Sequence, residues 1–73
     1  MPRYLAPAWI VKILHEHGFR VVSQSGSHAK FRLENTPDIK TVIMPMHAKE
    51  LPVGTFASIV RQSGLDKSDF IKT

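Results

Sequence analysis

The sequence predicts an α+β fold, ordered α-β-β-β-α, with helices packed on one face of a three-stranded antiparallel sheet. Three observations point there. Trp9, Ile10, Ile13 and Leu14 recur at the spacing that paints one face of a helix. From residue 28 to 34 the chain alternates, with Ala29, Phe31 and Leu33 on one side and His28, Lys30, Arg32 and Glu34 on the other. Three strand-like runs follow one another with short links, as in a meander.

Taken in order, residues 2–6 form a lead-in, and Pro7 suits a first helical position, where its missing N–H costs nothing. A helix over residues 8–17 follows, an apolar ridge for one side of the sheet, and Gly18 supplies its left-handed stop. Residues 19–24, rich in aromatic and β-branched side chains, read as the first strand. Ser25-Gly26-Ser27 is a turn, and residues 28–34 are the second strand. Asn35-Thr36-Pro37-Asp38 carries turn chemistry. The third strand covers residues 39–44 and is closed by Pro45, which cannot donate to a ladder.

Residues 46–52 are a loop. A second helix begins between Pro52 and Thr55 and runs to about Ser63, burying Val53, Phe56, Ile59 and Val60. Gly64 ends it, and Leu65 is placed for the apolar contact that accompanies such a stop. Asp66-Lys67-Ser68-Asp69 resembles a carboxylate-capped first turn that brings Phe70 and Ile71 onto the core as a short last helix. Trp9 and Phe56 are expected in the core. With no repeat and no low-complexity tract, residues 1–73 read as one domain.

Composition narrows the function classes. A chain of 73 residues buries only about 60% of its unfolded surface, so its core is thin. There is no cysteine, hence no disulfide staple and no thiolate chemistry. No apolar run approaches the ~18 residues of a membrane span, and no signal-like block follows Met1-Pro2-Arg3-Tyr4, so the expected location is cytoplasmic. The formal charge of +4 is uneven. Arg3, Lys12, Arg20, Lys30 and Arg32 face only Glu16 among residues 1–33, whereas the remaining cations and carboxylates balance. A localised positive field favours a polyanion such as nucleic acid, or an acidic protein.

The stretch Gln24-Ser25-Gly26-Ser27-His28-Ala29-Lys30-Phe31-Arg32 concentrates the chemistry. It sets one imidazole beside two cations on an open strand face, next to a glycine where backbone can approach a ligand closely. His28 is thus a candidate general base or acid, with Lys30 and Arg32 as phosphate contacts. Gly26 and Ser27 offer backbone N–H groups or a hydroxyl to a phosphate oxygen. Ser27 is a poor nucleophile candidate: no Gly-x-Ser-x-Gly is present and no carboxylate is evidently placed to orient the imidazole. His47, in the loop between the third strand and the second helix, is either an inconsequential loop residue or a substrate or partner contact close to the start of that helix. His15 and His17 stand two apart on a helix and cannot chelate together, so no metal site is expected.

Several blocks together carry a resemblance. They are Gln24-Ser25-Gly26-Ser27-His28 with Phe31-Arg32, then Val42-Ile43-Met44-Pro45-Met46-His47, then Gly54-Thr55. Ser58-Ile59-Val60-Arg61-Gln62-Ser63-Gly64-Leu65 and Asp69-Phe70 complete the set. From about residue 8 to 70 the chain resembles the HicA-like (YcfA-type) toxin family. The resemblance implies a double-stranded-RNA-binding-domain-like fold and a metal-independent mRNA interferase without cofactor. The histidine of Gly-Ser-His, here His28, would be the catalytic residue. It also implies a HicB-like antitoxin as partner. The chain departs from the family pattern at Ser25, where a basic residue is common, and in a start that lacks the usual polar cap. The alternative is a non-catalytic RNA-binding module of the same fold.

Overall fold

A computed structural model describes residues 2–34 and 37–71. A 3-10 turn at Arg3–Leu5 leads into α1 (Pro7–Glu16), then β1 (Arg20–Ser25), β2 (His28–Leu33), β3 (Lys40–Pro45), α2 (Val53–Ser63) and α3 (Lys67–Ile71). The strands form one antiparallel sheet in the order β1-β2-β3. This is the expected α-β-β-β-α order. Pro37 and Asp38 lie in a bend, while Asn35 and Thr36 of the expected turn fall outside the described residues.

Local chemistry explains the boundaries. Pro7 opens α1 and the chain leaves it through Gly18, at φ +94°. Gly64 closes α2 at φ +73°, where residues with a Cβ are strained. Asp69 Oδ2 accepts from the Asp66 N–H at 3.0 Å, so Asp69 in the first turn of α3 fastens the chain that enters it.

The core is one cluster. Ile10, Ile13 and Leu14 of α1 meet Ala29 and Phe31 of β2, Val42 and Met44 of β3, and Phe56 and Ile59 of α2. Leu5, Phe19, Leu51 and Phe70 close it. Phe56 lies between Tyr4 and Phe70, with ring centroids 5.1 and 5.9 Å away. Trp9 is half-buried and not fully in the core: its Nε1–H donates to the Phe70 carbonyl at 2.7 Å, and Arg3 and Lys12 stand over its ring.

Three further burial expectations need correction. Val53 is 68% exposed and Ile71 38% exposed, and Val60 is only half-buried. Val53 is the first residue of α2, before that helix has turned its apolar face inward, and Ile71 follows Phe70, which takes the inward position. The helical layer also leaves part of the sheet bare. Every residue of β1 is exposed, Val21 and Val22 included. The layer is displaced toward β3, where Gln62 of α2 reaches round so that its Oε1 accepts from the outward N–H of Ile43 at 3.1 Å. One outer edge of the sheet is thereby covered, and the other is open.

Candidate functional site

Register fixes the site. Ser25 pairs with His28 across the hairpin, so the turn is Gly26-Ser27, and Gly26 alone has positive φ (+59°). A positive φ at the first central residue only is what a II′ turn needs. His28 is therefore the first residue of the central strand, flanked by Ser25 of β1 and Pro45 of β3. Paired residues share a face, so His28, Lys30 and Arg32 stand on the face away from the core, opposite in sense to the buried Ala29 and Phe31. The His28 side chain is exposed. Its Nδ1 lies 3.4 Å from Ser27 Oγ, a contact whose direction depends on the ring tautomer.

The flanking cations differ. Lys30 is half-buried between Ser23 and Ile43. Arg32 donates from Nη1 to Glu34 Oε2 at 3.3 Å, while its Nε is buried with no partner among the described residues. Arg32 and Glu34 line a recess of about 200 Å³ with Gly18, Arg20 and Val22.

Arg20 is the residue that sequence reasoning overlooked. In a regular hairpin closed by Gly26-Ser27, Arg20 would sit opposite Leu33, on the covered side. The register instead slips between Val21 and Ser23, so Val22 is an extra residue and Arg20 faces Arg32. The slip sets two guanidinium groups side by side on the open face. The adjacent pair Val21-Val22, which breaks the alternation of β1, is the signal that was available.

His47 is brought to the same end of the sheet. The Met46 N–H donates to the Ser27 carbonyl at 2.6 Å, tying the chain beyond β3 to the hairpin turn. Met46 packs against the core, and His47 and Lys49 are exposed in the loop that follows. His15 is elsewhere, its ring 5.8 Å from that of Phe31 on the covered side. His17 bonds through Nδ1 to the Ile13 carbonyl at 2.9 Å and lies 3.9 Å from Asp69. Among the described residues, no group of three or more His, Cys, Asp or Glu side chains is placed to hold a metal ion. None of the described helices is long and apolar enough to cross a membrane.

A model of the family described as the HicA toxin of bacterial toxin–antitoxin matches residues 9–65. The chain belongs to the HicA toxin family. The match begins at Trp9 in α1 and ends at Leu65 after the Gly64 stop, so it takes in the whole sheet, α2 and every residue of the open face named above. No curated protein matches the chain. Membership gives this HicA-family chain a toxin's role within a toxin–antitoxin pair.

Proposed function

We propose that this HicA-family chain is a metal-independent endoribonuclease that cleaves mRNA, with His28 moving the proton at the scissile phosphodiester. The observation that carries this reading is the position of His28. It is an exposed imidazole at the end of the central strand, beside a bare glycine turn, in line with Lys30 and Arg32 on the open face.

The chemistry follows from RNA itself. The ribose 2′-hydroxyl, absent from DNA, is an internal nucleophile. His28 takes its proton while the O2′–P bond forms and the P–O5′ bond breaks, leaving a 2′,3′-cyclic phosphate and a 5′-hydroxyl end. Lys30 and the backbone N–H groups around Gly26 and Ser27 offset the charge that builds on the phosphoryl oxygens. Arg32, joined by Arg20, holds a neighbouring phosphate of the strand. His47 contacts the RNA from the adjoining loop. The partner is a HicB-like antitoxin that covers the open face, and the cationic half of the chain suits an acidic inhibitor surface.

The test is cleavage of labelled RNA by purified protein in EDTA. Wild type is expected to cut and His28→Ala to lose roughly 10²–10⁴ in rate with its fold intact. Parental cleavage by His28→Ala refutes the assignment of that residue, and abolition by EDTA refutes metal independence. Binding without any product makes the chain an RNA-binding module. Co-expression with the product of an adjacent antitoxin gene is expected to give a complex that no longer cleaves.

A further inference from the structure

We propose that His47 is the second proton-transfer group of this site, donating to the leaving 5′-oxygen as His28 withdraws the proton from the 2′-hydroxyl. The inference rests on the ribonuclease reading above and supplies what that reading lacks. One imidazole can fill only one proton-transfer role at a time. In an in-line displacement the attacking and leaving oxygens lie on opposite sides of phosphorus, so the two proton groups must flank the phosphate.

The fold places a second histidine where that role requires one. His28 and Pro45 are direct partners in the β2–β3 register, and paired residues share a face. Beyond Pro45 the chain does not drift away, because the Met46 N–H is held by the Ser27 carbonyl at 2.6 Å. Met46 turns inward and packs against the core. His47, the next residue, comes out again on the exposed side. Two residues past Pro45, the partner of His28, it stands exposed in the bend that follows β3 and so at the same end of the sheet as His28.

The two histidines differ in their surroundings, which assigns the roles. The Nδ1 of His28 lies 3.4 Å from Ser27 Oγ. In the neutral tautomer whose Nδ1–H donates to that hydroxyl, the bare Nε2 points outward as a base. His47 has no hydrogen-bond partner among the described residues, and its ring can turn onto a bound strand as imidazolium. The charged groups near the pair are Lys30 on β2 and Lys49 and Glu50 in the loop after His47; the facing positions of β3, Ile43 and Pro45, carry none. The step balances. The 2′-hydroxyl proton goes to His28, the P–O5′ electrons leave with the 5′-oxygen, and the proton from His47 completes the 5′-hydroxyl.

The test compares two RNA oligonucleotides with purified wild-type, His47→Ala, His47→Arg and His28→Ala proteins. One is ordinary RNA with a mapped cleavage site, and the other carries a bridging 5′-sulfur at that site. A thiolate leaves without a proton, so it bypasses the acid. His47→Ala is expected to lose roughly 10²–10⁴ in kcat on ordinary RNA, with KM little changed, and to cut the 5′-sulfur substrate near the parental rate. His28→Ala stays defective on both. His47→Arg, which keeps a cation but cannot give up a proton, stays defective on ordinary RNA. The kcat profile of wild type against pH is a bell, and His47→Ala retains only its acid limb.

The proposal is overturned if His47→Ala cuts ordinary RNA at the parental rate, if it is equally slow on both substrates, or if His47→Arg restores activity. Those results leave the ribonuclease reading standing. A wild-type protein that leaves RNA intact removes both.

Discussion

The indole N–H of Trp9 donates to the carbonyl of Phe70 at 2.7 Å, so the first helix is tied to the last across nearly the full length of the chain. A Trp9→Phe substitution keeps most of the ring and removes the donor, leaving the Phe70 carbonyl without that partner. The expected loss is about 1 kcal/mol. For a domain of this size that lowers the melting temperature by roughly 4–8 °C, measured by thermal circular dichroism. An unchanged melting temperature would show that the bond contributes nothing.

Glycine positions separate backbone strain from crowding. Gly18 has φ +94°, and a Cβ there would lie 3.1 Å from Leu33 Cδ1, whereas Gly26 has φ +59° with open space around it. The first position of a II′ turn favours Gly, so Gly26→Asn is expected to cost about 1 kcal/mol in denaturant unfolding from backbone strain alone. Gly18→Asn adds the Leu33 side chain to the same kind of strain and is expected to cost about 2–4 kcal/mol. Equal losses at the two positions would remove the distinction.

Val53 and Phe56 sit three residues apart in α2 but belong to different environments. Val53→Asn, at a position 68% exposed, is expected to change stability by less than about 0.5 kcal/mol. Phe56→Ala, which empties the space between Tyr4 and Phe70, is expected to cost about 3–5 kcal/mol. That is a large share of the stability of so small a domain, and the variant should be largely unfolded by near-ultraviolet circular dichroism. A folded Phe56→Ala protein with a parental midpoint would contradict the core described above.

Arg20 tests the reach of the open face. Arg20→Ala removes one exposed guanidinium beside Arg32 without touching the core. Binding to 2′-O-methyl RNA, which cannot be cleaved through a 2′-hydroxyl, is expected to weaken alike for all sequences. The slope of log K against log salt should fall by about one unit. If fluorescence anisotropy gives the parental slope, the RNA does not extend along the sheet as far as β1.

Much of this molecule was legible because local signals and tertiary needs agreed. Pro7, Gly18 and Gly64 bound the helices where their backbone chemistry says they should. The alternation of residues 28–33 gave both the strand and the faces on which His28, Lys30 and Arg32 stand. What could not be read arose from packing between elements. Nothing in the sequence of α2 says that Gln62 wraps the edge of β3 and draws the helical layer off β1. Val53 has an apolar side chain at helical spacing, and only its place as the first residue of α2 leaves it in water. That the loop bearing His47 is held at the hairpin end of the sheet depends on the Ser27–Met46 bond, a pairing between backbone groups that carries no residue signature.

The extra residue at Val22 acts as a parity switch for the whole first strand. With Val22 left out of the pairing, Phe19 enters the core and Arg20 looks outward; if Val22 took a place in the ladder, each residue before Ser23 would exchange sides. Loss of that single codon would bring the Val21–Phe31 and Ser23–Lys30 pairs onto neighbouring rungs and leave both the aromatic ring and the guanidinium on their present sides. A three-base deletion at that codon is thus one that the first strand of this toxin can absorb without turning itself inside out.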